Sequence, residues 1–535
     1  MVATSLWLAA AGPVSLAGVG IHAARNPNVP VRRITWLAEA AALLALAAAL
    51  ATAAAVAVHG SLQSSTLGLS GIGFSLYADR LSAVMVCLVA FVGAIVVAYS
   101  RTYMDGDPGH ARFTGRLCIT LSAVLLVILA GNLLLFTVAW FCTSLALNRL
   151  LLFYPERPAA LLAARKKFVA SRLGDLCLIG ACVLLYRAFG SLDYAAIFAG
   201  ADTMRGVAQT PAAAHAIAIL LVCTAMLKSA QFPTHGWLIE VMETPTPVSA
   251  LLHAGIINAG GFLIIRFSDV ITLSLPSLHM LALLGGFTAL FGSVVMLTQT
   301  SIKVSLAWST VAQMGFMMLE CGLGAFSAAT LHIVAHSFYK AHAFLSSGSV
   351  IDIYRTSFTP NPGGKPHKLR WIFAIGGVLA VTFVFSVATG YTITAQPGVF
   401  ALGAVLLLSL THLVANGIDE RPNGYVVGRV LAMACFVAIG YFGLQFGSDY
   451  LLDGSLPKAQ PLRGPFGVLL VAMIVGSYAV VIFLQGSAAK HQAQPRWQAL
   501  YAHVHSGFYV NTLANRLVLQ YWPRPAPTRS PGAHA

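Results

Sequence analysis

In LHIVAHSFYKAHAFLSSGS, an otherwise apolar stretch, His332, His336 and Lys340 recur at four-residue steps. On a helix that spacing stacks them on one face, roughly 6 Å apart along the axis. Groups so spaced pass a proton through one or two waters. Imidazole titrates near neutrality, and an amine taken out of water holds its proton less tightly. The alternative is histidines satisfied by backbone carbonyls of neighbouring helices. Three titratable groups on one apolar stripe are costly for packing alone. A metal between His332 and His336 would lack a nearby carboxylate or cysteine.

A second constellation lies in residues 221–265, LVCTAMLKSAQFPTHGWLIEVMETPTPVSALLHAGIINAGGFLII. An apolar run carries Lys228 and stops at Gln231-Phe232-Pro233. A polar connector follows with His235, Glu240 and Glu243, and Pro245 and Pro247 then open a run carrying His253. Proline lacks a backbone donor and clashes with the preceding turn, so one helix cannot run straight through. A lysine in hydrocarbon costs roughly 2.5–3.5 kcal/mol on insertion scales. A broken helix at membrane depth is tolerated only inside protein or lining a cavity. An ion path through Lys228 and His253 is therefore expected, against a lysine that snorkels to the interface. Arg172 and Asp175, three apart in SRLGDL, either pair with each other or set Asp175 against Lys228. Lys303 and His412 are weaker candidates: Lys303 opens an apolar run, and His412 lies inside one.

These residues are set among apolar runs. The 535 residues are 58% hydrophobic and 9% charged, with mean hydropathy +0.79. A soluble globule carries about 25% charged residues. The chain reads as an all-α polytopic membrane protein of about 13–15 transmembrane helices. Candidate spans fall near 3–24, 34–58, 78–99, 115–131, 133–154, 168–189, 214–230, 245–267, 274–298, 302–320, 326–351, 371–390, 396–416, 425–445 and 464–485. The net charge of +15 does not point to nucleic acid, because the basic residues sit in short loops between these runs. The eight cysteines all fall in apolar runs without a CxxC pair and read as small buried side chains. The apolar run at the N-terminus has no charged segment before it and reads as a first span.

Alternate loops sort by charge. Arg25, Arg32 and Arg33; Arg101, Arg112 and Arg116; Arg157, Arg165, Lys166 and Lys167; Arg355, Lys365, Lys368 and Arg370; and Arg421 and Arg429 fall in one set, with Lys490 and Arg496 in the tail. The loops 59–77, 190–213, 321–325 and 391–395 are poor in Lys and Arg. The basic set is expected on the cytoplasmic side, with the N-terminus outside and the C-terminus inside. The connector 231–244 falls on the basic side yet carries Glu240 and Glu243, either as a docking or ion-access spot or as a solvated loop. Residues 1–485 form the membrane domain. Residues 486–522 read as an amphipathic tail helix that lies at the interface or grips a partner, and 523–535 as disordered.

KSAQFP, PTPVSALLHAG, TSIKVSLAWSTVAQMGF and HSFYKAHAFLSSGSVI together resemble the antiporter-like membrane subunits of respiratory complex I and Mrp-type cation/proton antiporters. The similarity covers roughly residues 70–355. It implies two inverted repeats, each with a broken helix. It also implies Lys228 as the broken-helix lysine, His253 as the histidine of the next helix, Asp175 as the family aspartate, and His332, His336 and Lys340 as a second-half relay. Three positions depart from the family pattern. Phe141 follows Trp140 where the family has glutamate, Ser301 stands where an acid precedes the later lysine, and no lysine occurs between 371 and 457, leaving His412 as a substitute.

HGWLIEVMETPTPVSALLHAGIINAGG and the tail segment HVHSGFYVNTLANRL are similar to membrane subunits of two-component bacterial systems that accumulate dissolved inorganic carbon. That resemblance implies a large cytoplasmic partner, similar to β-type carbonic anhydrase, with its own zinc and with no cofactor in this chain. Glu240, Glu243, His505, Phe508 and Tyr509 are the expected partner contacts. The expected function is passage of H⁺ or Na⁺ through His332, His336 and Lys340 to Lys228, Asp175 and His253, with an exit near the connector. Two rivals are a subunit of a respiratory or antiporter complex and a non-conducting membrane anchor, the latter favoured by Phe141.

Overall fold

The computed structural model describes residues 6–69, 72–205, 212–348, 402–403, 405–406, 424–457, 465–491 and 493–522. Helices α1 (Ala11–Arg25) and α2 (Val31–His59) open the bundle. The loop that follows is not plain: β1 (Leu62–Gln63) pairs with β4 (Tyr77–Ala78) and β2 (Leu67–Leu69) with β3 (Ile72–Phe74), all antiparallel. Next come α3 (Arg80–Tyr103), α4 (His110–Leu129) and α5 (Leu133–Leu151). Asp79 caps α3 by accepting from Ser82 N at 2.8 Å, and Asn132 caps α5 by accepting from Leu135 N at 2.8 Å, each satisfying an orphan donor.

Helix α6 (Pro158–Phe189) corrects the expected span 168–189. Pro158 supplies the fixed φ that suits a first helical turn. The helix therefore starts ten residues early and takes up Arg165, Lys166 and Lys167, all buried and none in a loop. The short α7 (Tyr194–Arg205) leads to α8 (Ala212–Lys228), α9 (Gly236–Glu240), α10 (Thr246–Ala254), α11 (Ala259–Arg266) and α12 (Ser268–Ile271). Helices α13 (Leu275–Met296) and α14 (Ile302–Gly322) pack backbone to backbone. A Cβ on Gly315 would stand 2.4 Å from Ala289 N, and one on Gly285 2.6 Å from Leu319 N, the close approach that small residues permit between membrane helices.

Helix α15 (Phe326–Leu345) carries the histidine stripe; α16 (Gly424–Leu452) and α17 (Pro465–His491) follow. Among the described residues nine helices are long and apolar enough to cross a membrane. The spans expected at 371–390 and 396–416 lie largely outside the described residues, as do His412 and the tail end 523–535. The tail is not one helix but two, α18 (Pro495–His505) and α19 (Val510–Tyr521). They are separated by Gly507, Phe508 and Tyr509, all at positive φ.

The bundle has two ends. At one, Leu76 bridges Ala130, Asn132 bridges Asp193, and Arg80 donates to the Asp453 carbonyl at 2.9 Å. At the other, Arg116 donates to the Arg149 carbonyl at 2.8 Å, Tyr154 to Asp107 at 2.6 Å and Arg157 to the Glu243 carbonyl at 2.6 Å. The tail packs at this second, arginine-rich end.

Candidate functional site

Lys228 is the last residue of α8, and Ala230, with φ of 49°, turns the chain out of the helix. A non-glycine residue held there signals a site the surrounding structure over-determines. The Lys228 ammonium is buried, lies 4.4 Å over the Trp140 ring and donates to Ser144 Oγ at 2.7 Å. It does not snorkel. Arg172 pairs with Asp175 at 2.7 Å and stacks 4.2 Å over Phe141. The position where the family carries glutamate is thus the platform for a guanidinium. Asp175 stands within electrostatic reach of Lys228 but forms its ion pair with Arg172. Lys167 joins the same cluster by donating to the Ser144 carbonyl.

The second cluster gathers around α15. Lys340, fully buried, donates to the Leu306 carbonyl at 2.9 Å. His253, also fully buried, shares a hydrogen bond with Thr310 Oγ1 at 2.9 Å and stacks on Phe344 at 4.4 Å. His336 lies within reach of His253 and Lys340, and its ring centre is 6.0 Å from that of His332. His332 Nδ1 meets Glu320 Oε2 at 2.9 Å. Among the described residues Nε2 of His253, His332 and His336 has no hydrogen-bond partner, so each can meet a transferable proton or water. Glu320, His332 and His336 also line a cleft of about 520 Å³, with Gln445 and Tyr478.

The break between α10 and α11 joins the two clusters. Ser229, next to Lys228, donates to the Ile257 carbonyl at 3.0 Å, while Asn258 donates to Ser337 on α15 at 2.9 Å. A cavity of about 20 Å³ touches Lys228, Trp140, Thr143 and Gly255. That is room for one water, which needs roughly 10–15 Å³ on this measure.

Other expected residues lie elsewhere. Lys303 is half-buried at the start of α14, 3.5 Å from Thr246 Oγ1. The connector 231–244 is a turn, α9 and a 3-10 turn, with His235, Trp237 and Leu238 buried; it is not a solvated loop. Glu240 faces the chain's own tail. It pairs with Lys166 at 2.7 Å and accepts from Asn511 at 2.9 Å and Asn515 at 2.7 Å. Glu243 gives its carbonyl to Arg157. His505 holds the Thr298 carbonyl at 2.9 Å, while Phe508 and Tyr509 are 48% and 44% exposed. Sequence reasoning missed Lys167, Ser144, Thr310 and Glu320. Glu320 alone carried a signal, an acid in the apolar run MMLECG.

The profile of the family described as "NADH:quinone oxidoreductase/Mrp antiporter, TM" matches residues 130–409, and that of "NADH-Ubiquinone oxidoreductase (complex I), chain 5 N-terminus" matches 66–114. The chain is 38% identical, over 92% of its length and 89% of the relative's, to the probable inorganic carbon transporter subunit DabB2 of Halothiobacillus neapolitanus. It is 35% identical, over 93% and 92%, to the probable inorganic carbon transporter subunit DabB of Hydrogenovibrio crunogenus. NADH-quinone oxidoreductase subunit L of Mycobacterium tuberculosis is 33% identical over 79% of this chain and 65% of its own. A solved Mrp complex from Dietzia has the same fold, with a TM-score of 0.59 at 24% identity over 97% of this chain and 56% of that one. The chain belongs to the NADH:quinone oxidoreductase/Mrp antiporter family of multi-pass membrane subunits, and within it to the DabB group of inorganic carbon transporter subunits.

Proposed function

We propose that this chain is the cation-conducting membrane subunit of a bacterial inner-membrane complex that accumulates dissolved inorganic carbon. H⁺ or Na⁺ passes through it, and that flow drives hydration of CO₂ to bicarbonate in a large cytoplasmic, zinc-containing, DabA-like partner. The observation that carries this reading is two largely buried clusters of ionisable groups joined by the α10/α11 break. Glu320, His332, His336, His253 and Lys340 sit on one side of the α10/α11 break and Lys228 on the other. Such groups are retained in apolar surroundings where something must move between them. The inorganic carbon transporter names of the relatives support the substrate. The arginine-rich end, with the C-terminal tail, is the cytoplasmic one.

The test is growth in air of a carbon-requiring host that expresses the chain with its partner. Lys228→Ala and Lys340→Ala, with assembly checked by co-purification, are expected to abolish rescue. Undiminished rescue by assembled variants would make the chain an anchor. A protonophore compared with a sodium ionophore then identifies the ion.

A further inference from the structure

Lys167 is 3% exposed on α6, and its ammonium donates to the carbonyl of Ser144. Lys228 donates to the hydroxyl of the same residue. Ser144 on α5 thus receives two lysines from two other helices. Among the described residues neither lysine has an ion-pair partner: Asp175 is taken by Arg172, and Glu240 by Lys166. Arg172 and Asp175 face the pair from α6 and Trp140 from α5. Arg172 keeps its charge at any ordinary pH. Asp175 offsets that charge, but two ammonium groups side by side in an apolar cluster repel strongly, and the arrangement is relieved when the two lysines carry one charge between them.

We propose that Lys167 and Lys228 form a two-amine relay bridged by Ser144, with Lys167 as the step between Lys228 and the arginine-rich end. An N–H bond breaks on the Lys228 ammonium as one forms on the neutral Lys167 amine. The Ser144 hydroxyl takes that proton from Lys228 and releases its own, through a single water, to Lys167, and the pair's total charge stays at one. Lys166, the next residue, already reaches the tail and Glu240 at that end.

The inference rests on the proposed conducting function, and the experiment separates the two. The full complex is reconstituted in liposomes, and cation flux is read for the wild type, Lys228→Ala, Lys167→Gln, Lys167→Arg and Ser144→Ala, each checked for assembly. Arginine keeps the charge and the hydrogen bond but cannot release a proton. A relay therefore fails in both Lys167 variants, each slowed roughly tenfold or more, and slows in Ser144→Ala, which preserves the carbonyl that Lys167 uses. Wild-type rates in Lys167→Arg with slow Lys167→Gln make Lys167 a fixed structural charge and overturn the relay. Wild-type flux in assembled Lys167→Gln also overturns it. If Lys167→Gln does not assemble, Ser144→Ala decides: a wild-type rate there overturns the relay. No flux in the wild type overturns the conducting function and this inference together.

Discussion

Asp79 holds two structures at once. It caps α3 through Ser82 N, and its two oxygens accept from Arg266 at 2.7 and 2.9 Å. Arg266 also donates to Ser82 Oγ at 2.6 Å and ends the broken helix that carries His253. The planar guanidinium fits this fork and lysine does not. Burial alone pushes the Asp79 carboxyl up, but Arg266 and the Ser82 bonds more than offset it and hold the group below the usual carboxylate range. A carboxyl held low in the folded state contributes stability above its unfolded value near 4. That contribution fades as pH falls through the folded value. Asp79→Asn, read by thermal melting of the purified complex at neutral pH, is expected to cost about 3–5 kcal/mol, because it leaves Arg266 buried and unpaired. The wild-type and variant melting curves then converge on acidification below about pH 4. Equal melting at pH 7 would show that the pair does not hold α11 to α3.

A largely buried knot ties α19 to the connector. The Lys166 ammonium meets Glu240 at 2.7 Å and donates to Asn511 and Asn515, each at 2.6 Å, which uses its three donors. A Cβ on Gly236 would fall 2.0 Å from Asn511 Oδ1. Gly236→Ala is therefore expected to lift α19 off the connector, as is Glu240→Gln, which breaks a buried pair at about 3–5 kcal/mol. Limited proteolysis checks both: cleavage between α17 and α18 should quicken in each variant while the membrane body stays intact. Unchanged cleavage would mean that the α18 contacts with Thr298 suffice to hold the tail. This knot also shows where sequence reading stops. His332, His336 and Lys340 were legible because a four-residue step is local, and Lys228 because Pro233, Pro245 and Pro247 mark the break beside it. Glu240 meets Asn515 across 275 residues, and Arg266 meets Asp79 across 187; no local pattern encodes either. Lys166 and Lys167 read from sequence as loop charges because a basic run resembles a loop. Only the early start of α6 at Pro158 turns them inward.

At the scale of the whole molecule, the two ends differ in the charge they expose. Arg101, Arg112, Arg116, Arg149 and Arg157 gather where α3 to α6 turn, and the tail folds against that end. The opposite end carries the β ribbons, with the buried Asp79–Arg266 pair and the exposed Arg205–Asp269 pair. Each crossing from α1 to α6 alternates between these ends, so placing one loop places the rest. In the proposed orientation the loops rich in arginine and lysine lie on the cytoplasmic side and the ribbons lie outside. Ser65, exposed at the ribbon end, and Ser506, exposed between the tail helices, are suited to a direct reading. A membrane-impermeant thiol reagent applied to intact cells is expected to label Ser65→Cys and not Ser506→Cys, with the pattern completed once the membrane is opened. Native Cys142 is exposed on an apolar helix surface, so Cys142→Ala serves as the background. Labelling of Ser506→Cys from outside would invert the orientation and place the Lys166–Glu240 knot, and the partner it is proposed to serve, on the wrong side for a cytoplasmic enzyme.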